Sequence, residues 1–300
     1  MSIVSFKKMM KDARDGKYAV GYFEAWNLES LLAVCDAAEN KRSPVIIGFS
    51  GVDFPNYSYK LNNVLDVYLQ LTNLLANNLT INSCTIFNES SSIDFIKRAI
   101  SYGTGVVMYT DYCSNYNDFK KMICDITHEA HKNNVFVEAE IDEQIGLGKS
   151  FIKKPDKISL TDPELAKSFI EETQIDALAV NIGQVSMIGE QKVHLDFKRL
   201  EELNNKINIP LVLHGGSSIY EEDIKKAVKE GICKINIGKE VKEAYFKTLK
   251  ELCIKADKEG YNPYKIVGSG LSEDVLDRAR LATQKIVEEL MDILGSSGKS

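Results

Sequence analysis

Two short segments, LVLHGGSSI at residues 211–219 and CKINIG at residues 233–238, carry most of what this chain discloses. Each begins as an apolar run and breaks at its C-terminal end into glycine, serine or asparagine. In a parallel α/β protein those strand ends face the ligand. Gly-Gly-Ser or Asn-Ile-Gly placed there leaves backbone N–H groups free to cradle a phosphate. His214 stands on the lip of that cradle, where an imidazole serves either as a metal ligand or as an acid/base group.

Working outward, the same rhythm repeats. Apolar runs fall at 17–23, 43–50, 79–87, 103–110, 134–141, 176–183, 209–216 and 233–238. Amphipathic stretches follow them, at 27–40, 58–76, 93–101, 116–132, 162–173, 196–204, 221–229 and 240–258. Several open on an N-cap residue, as in Asn27 and in Thr161-Asp162-Pro163-Glu164. Eight strand–helix units predict a single-domain (β/α)8 barrel over residues 1–294. A leading helix at 5–14 caps its bottom, and a C-terminal helix at 272–294 carries an apolar stripe to close the barrel or join subunits. Residues 142–160 read as a long, lid-like loop after the fifth strand, and 295–300 as a disordered tail.

Bulk properties narrow the function. The 300 residues are 44% hydrophobic and carry a net charge of −6 with no polybasic stripe, which argues against a nucleic-acid partner. The N-terminus is too charged for a secretory signal, and no apolar run approaches membrane-span length, so a cytoplasmic protein with no membrane partner is expected. Six cysteines show no C-x-x-C pairing, which fits reduced thiols. No nucleotide cofactor is indicated.

The ordered set YAVGYFEAWNLES, SPVIIGFS, VVMYT, VEAEI, IDALAVNIG, PLVLHGGSS, GICKINIG and YNPYK resembles the class II, metal-dependent ketose-bisphosphate aldolases almost end to end. That resemblance implies retro-aldol cleavage of a ketose phosphate. In it, zinc held by three histidines polarises the carbonyl and an aspartate shuttles the hydroxyl proton. It also implies a homodimer or homotetramer.

The chain departs from the family at most of those positions. Where the family reads His-x-Asp-His-Gly, this chain has Ile86-Phe87-Asn88-Glu89-Ser90, so the aspartate becomes Asn88 and the first zinc histidine Glu89. Asparagine cannot accept a proton near neutral pH. The second histidine is lost within Ile182-Gly183-Gln184-Val185-Ser186-Met187, and only His214 remains. The expected metal site is therefore non-standard or lost. A divalent ion, zinc by resemblance, would rest on His214 and Glu89 with Glu138 or Glu140, an oxygen-rich set. Glu138 and Glu140 also read as interior carboxylates paired with Lys234.

Catalysis is expected from Asn88, Glu89 and Glu140. Substrate or phosphate binding is expected from Ser50, Gly183, Gly215, Ser217, Asn236 and Lys239, the last of which replaces the threonine of the family's Asn-Ile-Asp-Thr. Glu24 stands where the family often has asparagine. His128, His131 and His194 are expected to pack rather than to act. The function expected is an aldolase-like carbon–carbon lyase acting on a phosphorylated ketose or sugar acid. The alternatives are a non-catalytic phosphosugar-binding homologue and a metal-free Schiff-base aldolase using Lys234 or Lys239.

Overall fold

The structure is a computed structural model that describes residues 2–52, 54, 64–111, 113–141, 158–185 and 191–300. Eight parallel strands close in sequence order into a barrel: β1 (Val20–Phe23), β2 (Val45–Ser50), β3 (Ser83–Ser90), β4 (Val106–Tyr109), β5 (Phe136–Glu140), β6 (Ala177–Ala179), β7 (Leu211–Leu213) and β8 (Ile232–Ile237). The (β/α)8 expectation holds. Strands β4, β6 and β7 are shorter than their apolar runs. In β6 and β7 the Gly- and Asn-containing C-terminal ends leave the ladder and become mouth loops.

The surrounding helices are α1 (Phe6–Gly16), α2 (Leu28–Lys41), α3 (Val64–Asn78), α4 (Ile93–Ser101), α5 (Tyr116–Lys132), α6 (Pro163–Thr173), α7 (Phe197–Lys206), α8 (Glu221–Lys229), α9 (Lys239–Glu259), α10 (Pro263–Ile266) and α11 (Val275–Ile293). Their starts are set by local chemistry. Asn27 and Ser30 form a reciprocal capping box at α2, and Asp162 caps α6 with a proline in its first turn.

Alternation along the strands sorts the core into two layers. Val20, Tyr22, Ile46, Cys84, Ile86, Val106, Ala177, Ala179 and Val212 cluster with Phe6, Met9, Met10 and Ala13 of α1, so α1 plugs the N-terminal end as expected. The other set, including Phe23, Val45, Ile47, Val107, Val137, Leu178, Leu213, Ile235 and Ile237, packs beneath the helices. Of the expected α11 stripe, Val275, Ala279 and Leu290 are buried, joined by Thr283, Val287 and Met291. This helix lies against α2 and α9 and completes the outer layer.

Residues 295–300 differ from the disordered tail read from the sequence. Ser296 is fully buried and its hydroxyl pairs with Ser43 at 2.8 Å. The Gly298 and Ser300 N–H groups donate to Lys41 and Arg42 carbonyls at 2.8 and 3.0 Å. Small side chains let the backbone lie close enough to fill those carbonyls, which a polar composition does not reveal. The lid expectation falls on 142–157, and the lost-histidine position Ser186 on 186–190, both outside the described residues.

Candidate active site

The strand ends converge on a cavity of about 420 Å³ at the C-terminal mouth, within the range of small-molecule sites. Of the expected site residues, Asn88, Glu89, Glu140, His214, Gly215, Ser217, Asn236 and Lys239 line it. Glu24 does too. Tyr22, Asn181, Gln184 and Lys242 also line it, and sequence reasoning missed them. Tyr22 was findable, two residues before Glu24 on the same strand face.

Two consecutive residues of one strand normally point to opposite faces, yet Asn88 and Glu89 both reach the cavity. The β3–β4 register explains it. Phe87 pairs with Val107, but Ser90 pairs with Tyr109, so β3 carries one extra residue. The bulge sets Glu89 at φ 52°, a left-handed conformation unusual for a side chain of this size. Both residues are buried, and Asn88 Oδ1 has no hydrogen-bond partner among the described residues. A buried amide oxygen left so at the wall of a cavity is a place for a ligand's hydroxyl.

His214 is held at both ring nitrogens. Nδ1 lies 3.0 Å from Glu89 Oε1 and 4.0 Å from Glu140 Oε2, and Nε2 lies 3.2 Å from Glu138 Oε1. Burial alone would lower its pKa. The bonds to Glu138 and Glu89 and the charges of Glu140 and Glu89 outweigh that and push it up to about 10. The surrounding carboxylates therefore favour the charged form of the ring.

Beneath it, Lys234 and Glu138 form a fully buried pair at 2.7 Å. Burial would raise the Glu138 carboxyl, but the Lys234 charge and the His214 contact hold it down at about 2. Burial pushes the Lys234 ammonium below its ordinary range. Lys234 also donates to Asn236 Oδ1 at 2.5 Å, which orients that amide with its NH2 toward Glu138 Oε1 at 3.2 Å. The same NH2 lies 2.8 Å from His214 Nε2, close enough to donate to that nitrogen in the ring tautomer protonated at Nδ1.

Three expected roles find a different setting. The Asn236 side chain is spent in this network rather than turned to a phosphate. The Gly183 N–H is taken by Asn181 Oδ1 at 2.9 Å, and Gly183 does not line the cavity. Ser50 is buried away from the cavity, its hydroxyl accepting from the Val52 N–H at 3.4 Å. Of the interior carboxylates, Glu138 takes the expected pairing with Lys234, while Glu140 faces the cavity. His131 and His194 pair with Asp176 and Asp223, and His128 is exposed on α5.

Around the mouth, the 3-10 turn Gly216–Ser218 lies beside the start of α9. There the Ser217 hydroxyl accepts the Glu240 N–H at 3.2 Å. Gly215, at φ 68°, makes the bend that leads into this turn.

The donor set does not fit a three-histidine zinc site. One of the three ligand positions is Glu89 and another is Ser186, and both nitrogens of His214 lie within hydrogen-bond distance of carboxylates. Glu138, a third candidate ligand, is neutralised by Lys234. Among the described residues, no group of three His, Cys, Asp or Glu side chains is placed to hold a metal ion. Nor does any described helix have the length and apolarity to cross a membrane.

A closed parallel barrel whose C-terminal mouth gathers an imidazole, carboxylates and a glycine-rich turn has the layout of a (β/α)8 enzyme. Residues 4–299 match the family described as Fructose-bisphosphate aldolase class-II, and the chain belongs to that family. Class II members are typically zinc-dependent. The chain is 33% identical to a Geobacillus stearothermophilus protein named fructose-bisphosphate aldolase, covering 100% of this chain and 99% of the relative. It is 31% identical to one so named from Staphylococcus aureus, covering 100% of both. The crystal structure of the YdjI aldolase from Escherichia coli superposes with a TM-score of 0.81 at 26% identity, over 99% of each chain.

Proposed function

We propose that this cavity cleaves a phosphorylated ketose or sugar acid by a retro-aldol reaction in which an internal acid/base pair does what the family assigns to a metal and an aspartate. The phosphate rests on the backbone of Gly215 to Ser217 and the first turn of α9, with Lys239 adding positive charge. Asn88 Oδ1 accepts the hydrogen bond of a substrate hydroxyl.

Glu89, or Glu140 beside it, takes the proton of the hydroxyl on the carbon β to the carbonyl. The bond between the α and β carbons then breaks to release an aldehyde, and its electron pair moves into the carbonyl to give an enolate. Once Glu89 is protonated it no longer holds the His214 Nδ1–H, which becomes available to the enolate oxygen. The observation that supports this reading is the 3.0 Å contact between Glu89 and His214 at the cavity wall, with Asn88 adjoining.

The Schiff-base alternative draws no support from Lys234, which does not line the cavity and has a fully buried side chain held by Glu138 and Asn236. The test is aldehyde release from a panel of ketose mono- and bisphosphates, with elemental analysis before and after incubation with Zn²⁺, Mn²⁺ or Co²⁺. Glu89→Ala and His214→Ala are expected to abolish turnover, and His128→Ala to leave it intact. Normal turnover in Glu89→Ala sinks the assignment. Stoichiometric metal that disappears in both variants would return the reaction to a metal. Stabilisation by a sugar phosphate with no turnover would make the chain a phosphosugar binder.

A further inference from the structure

The β1 side of the mouth carries a substitution pair that the proposed mechanism leaves unused. β1 and β8 run in register, with Phe23 opposite Ile237, and the Glu24 N–H donates to the Ile237 carbonyl at 3.0 Å. Glu24 and Gly238 are therefore the next neighbours across the closing seam of the barrel. Gly238 has φ −120° and ψ −50°, which any residue adopts, so backbone conformation does not call for glycine there. Space does. A Cβ built on Gly238 would collide with Glu24 Oε2 and lie 3.4 Å from its Cδ. The family pattern has an acid at 238 and asparagine at 24. In this chain the acid stands on β1, and position 238 has no side chain. From α9, Lys242 reaches over to hold Glu24 Oε1 at 2.6 Å.

The order of strands around the barrel fixes what this carboxylate flanks. The cradle lies over β7 and β8, between Ser217 and Lys239. Glu24 borders it on the β1 and β2 side, away from Ser217. Four carboxylates, Glu24, Glu89, Glu140 and Glu243, face two lysines, Lys239 and Lys242, among the lining residues. That balance suits a substrate with one phosphate and hydroxyls at its other end, and it repels a second dianion.

We propose that Glu24 is a specificity-determining residue that admits singly phosphorylated ketoses and disfavours bisphosphates, by placing a carboxylate on the β1 flank of the cradle and by engaging Lys242. A neutral hydroxyl at this end donates to the carboxylate, whereas a phosphate there meets like charge and finds Lys242 already bound. The inference rests on the cradle reading above, because it presumes that one phosphate is held over β7 and β8.

The experiment is calorimetric binding of fructose 6-phosphate and fructose 1,6-bisphosphate to the full chain, which needs no turnover. The wild type is expected to bind the monophosphate at least as tightly as the bisphosphate. Glu24→Gln, nearly isosteric, should tighten the bisphosphate about tenfold and the monophosphate by a smaller factor. Glu24→Asp, which keeps the charge, should keep the wild-type preference. If both probes bind and Glu24→Gln leaves the bisphosphate within about twofold of wild type, the Glu24 assignment is overturned while the cradle stands. If neither probe binds to wild type or variant, the cradle reading fails and this one fails with it.

Discussion

Two Lys–Glu pairs serve the same cavity, and they differ in almost everything but chemistry. Lys234–Glu138 closes at 2.7 Å between β8 and β5 with both side chains fully buried. Lys242–Glu24 closes at 2.6 Å on the mouth with side chains 42% and 20% exposed. The inner pair cannot exchange either charge with water. Each partner is therefore obligatory for the other, and Asn236 and His214 are oriented by it. The outer pair is solvated, so it can be altered with little effect on folding. The contrast teaches where this barrel can vary. Charge near the axis is fixed by desolvation, and charge at the rim is open to specificity.

The largest effect should come from breaking the inner pair on one side. Lys234→Met takes from Glu138 its buried ammonium and leaves only the His214 contact, and removing one partner of such a pair costs about 3–5 kcal/mol. Denaturant unfolding should register that loss, or the variant should fail to accumulate. Lys234→Met combined with Glu138→Leu should recover a large part of it, because no unpaired charge remains. A double variant no more stable than the single one would remove the distinction between the two pairs.

Next comes pH, measured on chelator-treated protein. His214 is raised in the folded state from 6.5 to about 10. A group raised on folding stabilises fully below its unfolded pKa, and that contribution is lost as pH climbs toward the folded value. Thermal stability should therefore fall between about pH 6.5 and pH 10, and His214→Gln should flatten that slope. An equal slope in the variant would place the titration elsewhere.

The barrel was legible in the sequence because it is written in period and punctuation. Eight apolar runs, four of them ending in Gly or Ser, each followed by an amphipathic stretch, leave few other topologies. The Gly-Gly-Ser-Ser turn was legible for the same reason, since Gly215 sets it through backbone geometry. The centre was legible by residue type and not by geometry. Asn88 and Glu89 could be named as departures. That both face the cavity depends on a bulge in β3, which has no signature in Phe-Asn-Glu-Ser. Asn236 shows the opposite failure. Its side chain sits at the expected strand end, but Lys234, two residues earlier on the same face, takes its oxygen. Period-2 spacing places the two together without revealing that they bond. The Ser296 contact and the Glu24–Gly238 fit are likewise matters of distance between segments far apart in the chain.

The smallest effect sharpens the comparison from the other side. Lys242→Met removes one partner of the outer pair, the formal counterpart of Lys234→Met. Here the Glu24 left behind keeps its water, and an exposed ion pair contributes at most about 1 kcal/mol. Unfolding should therefore shift by no more than about 0.5 kcal/mol, close to the limit of a denaturant titration. Gly238→Ala should be similarly mild. Its backbone conformation suits alanine, and the clash falls on the tip of a flexible side chain that can swing into solvent. If Lys242→Met instead destabilised the fold on the scale expected for Lys234→Met, the rim pair would be structural. Glu24 could not then have been free to vary toward a new ligand. A neutral outcome on stability, together with altered bisphosphate binding, separates a residue that builds the barrel from one that chooses what enters it.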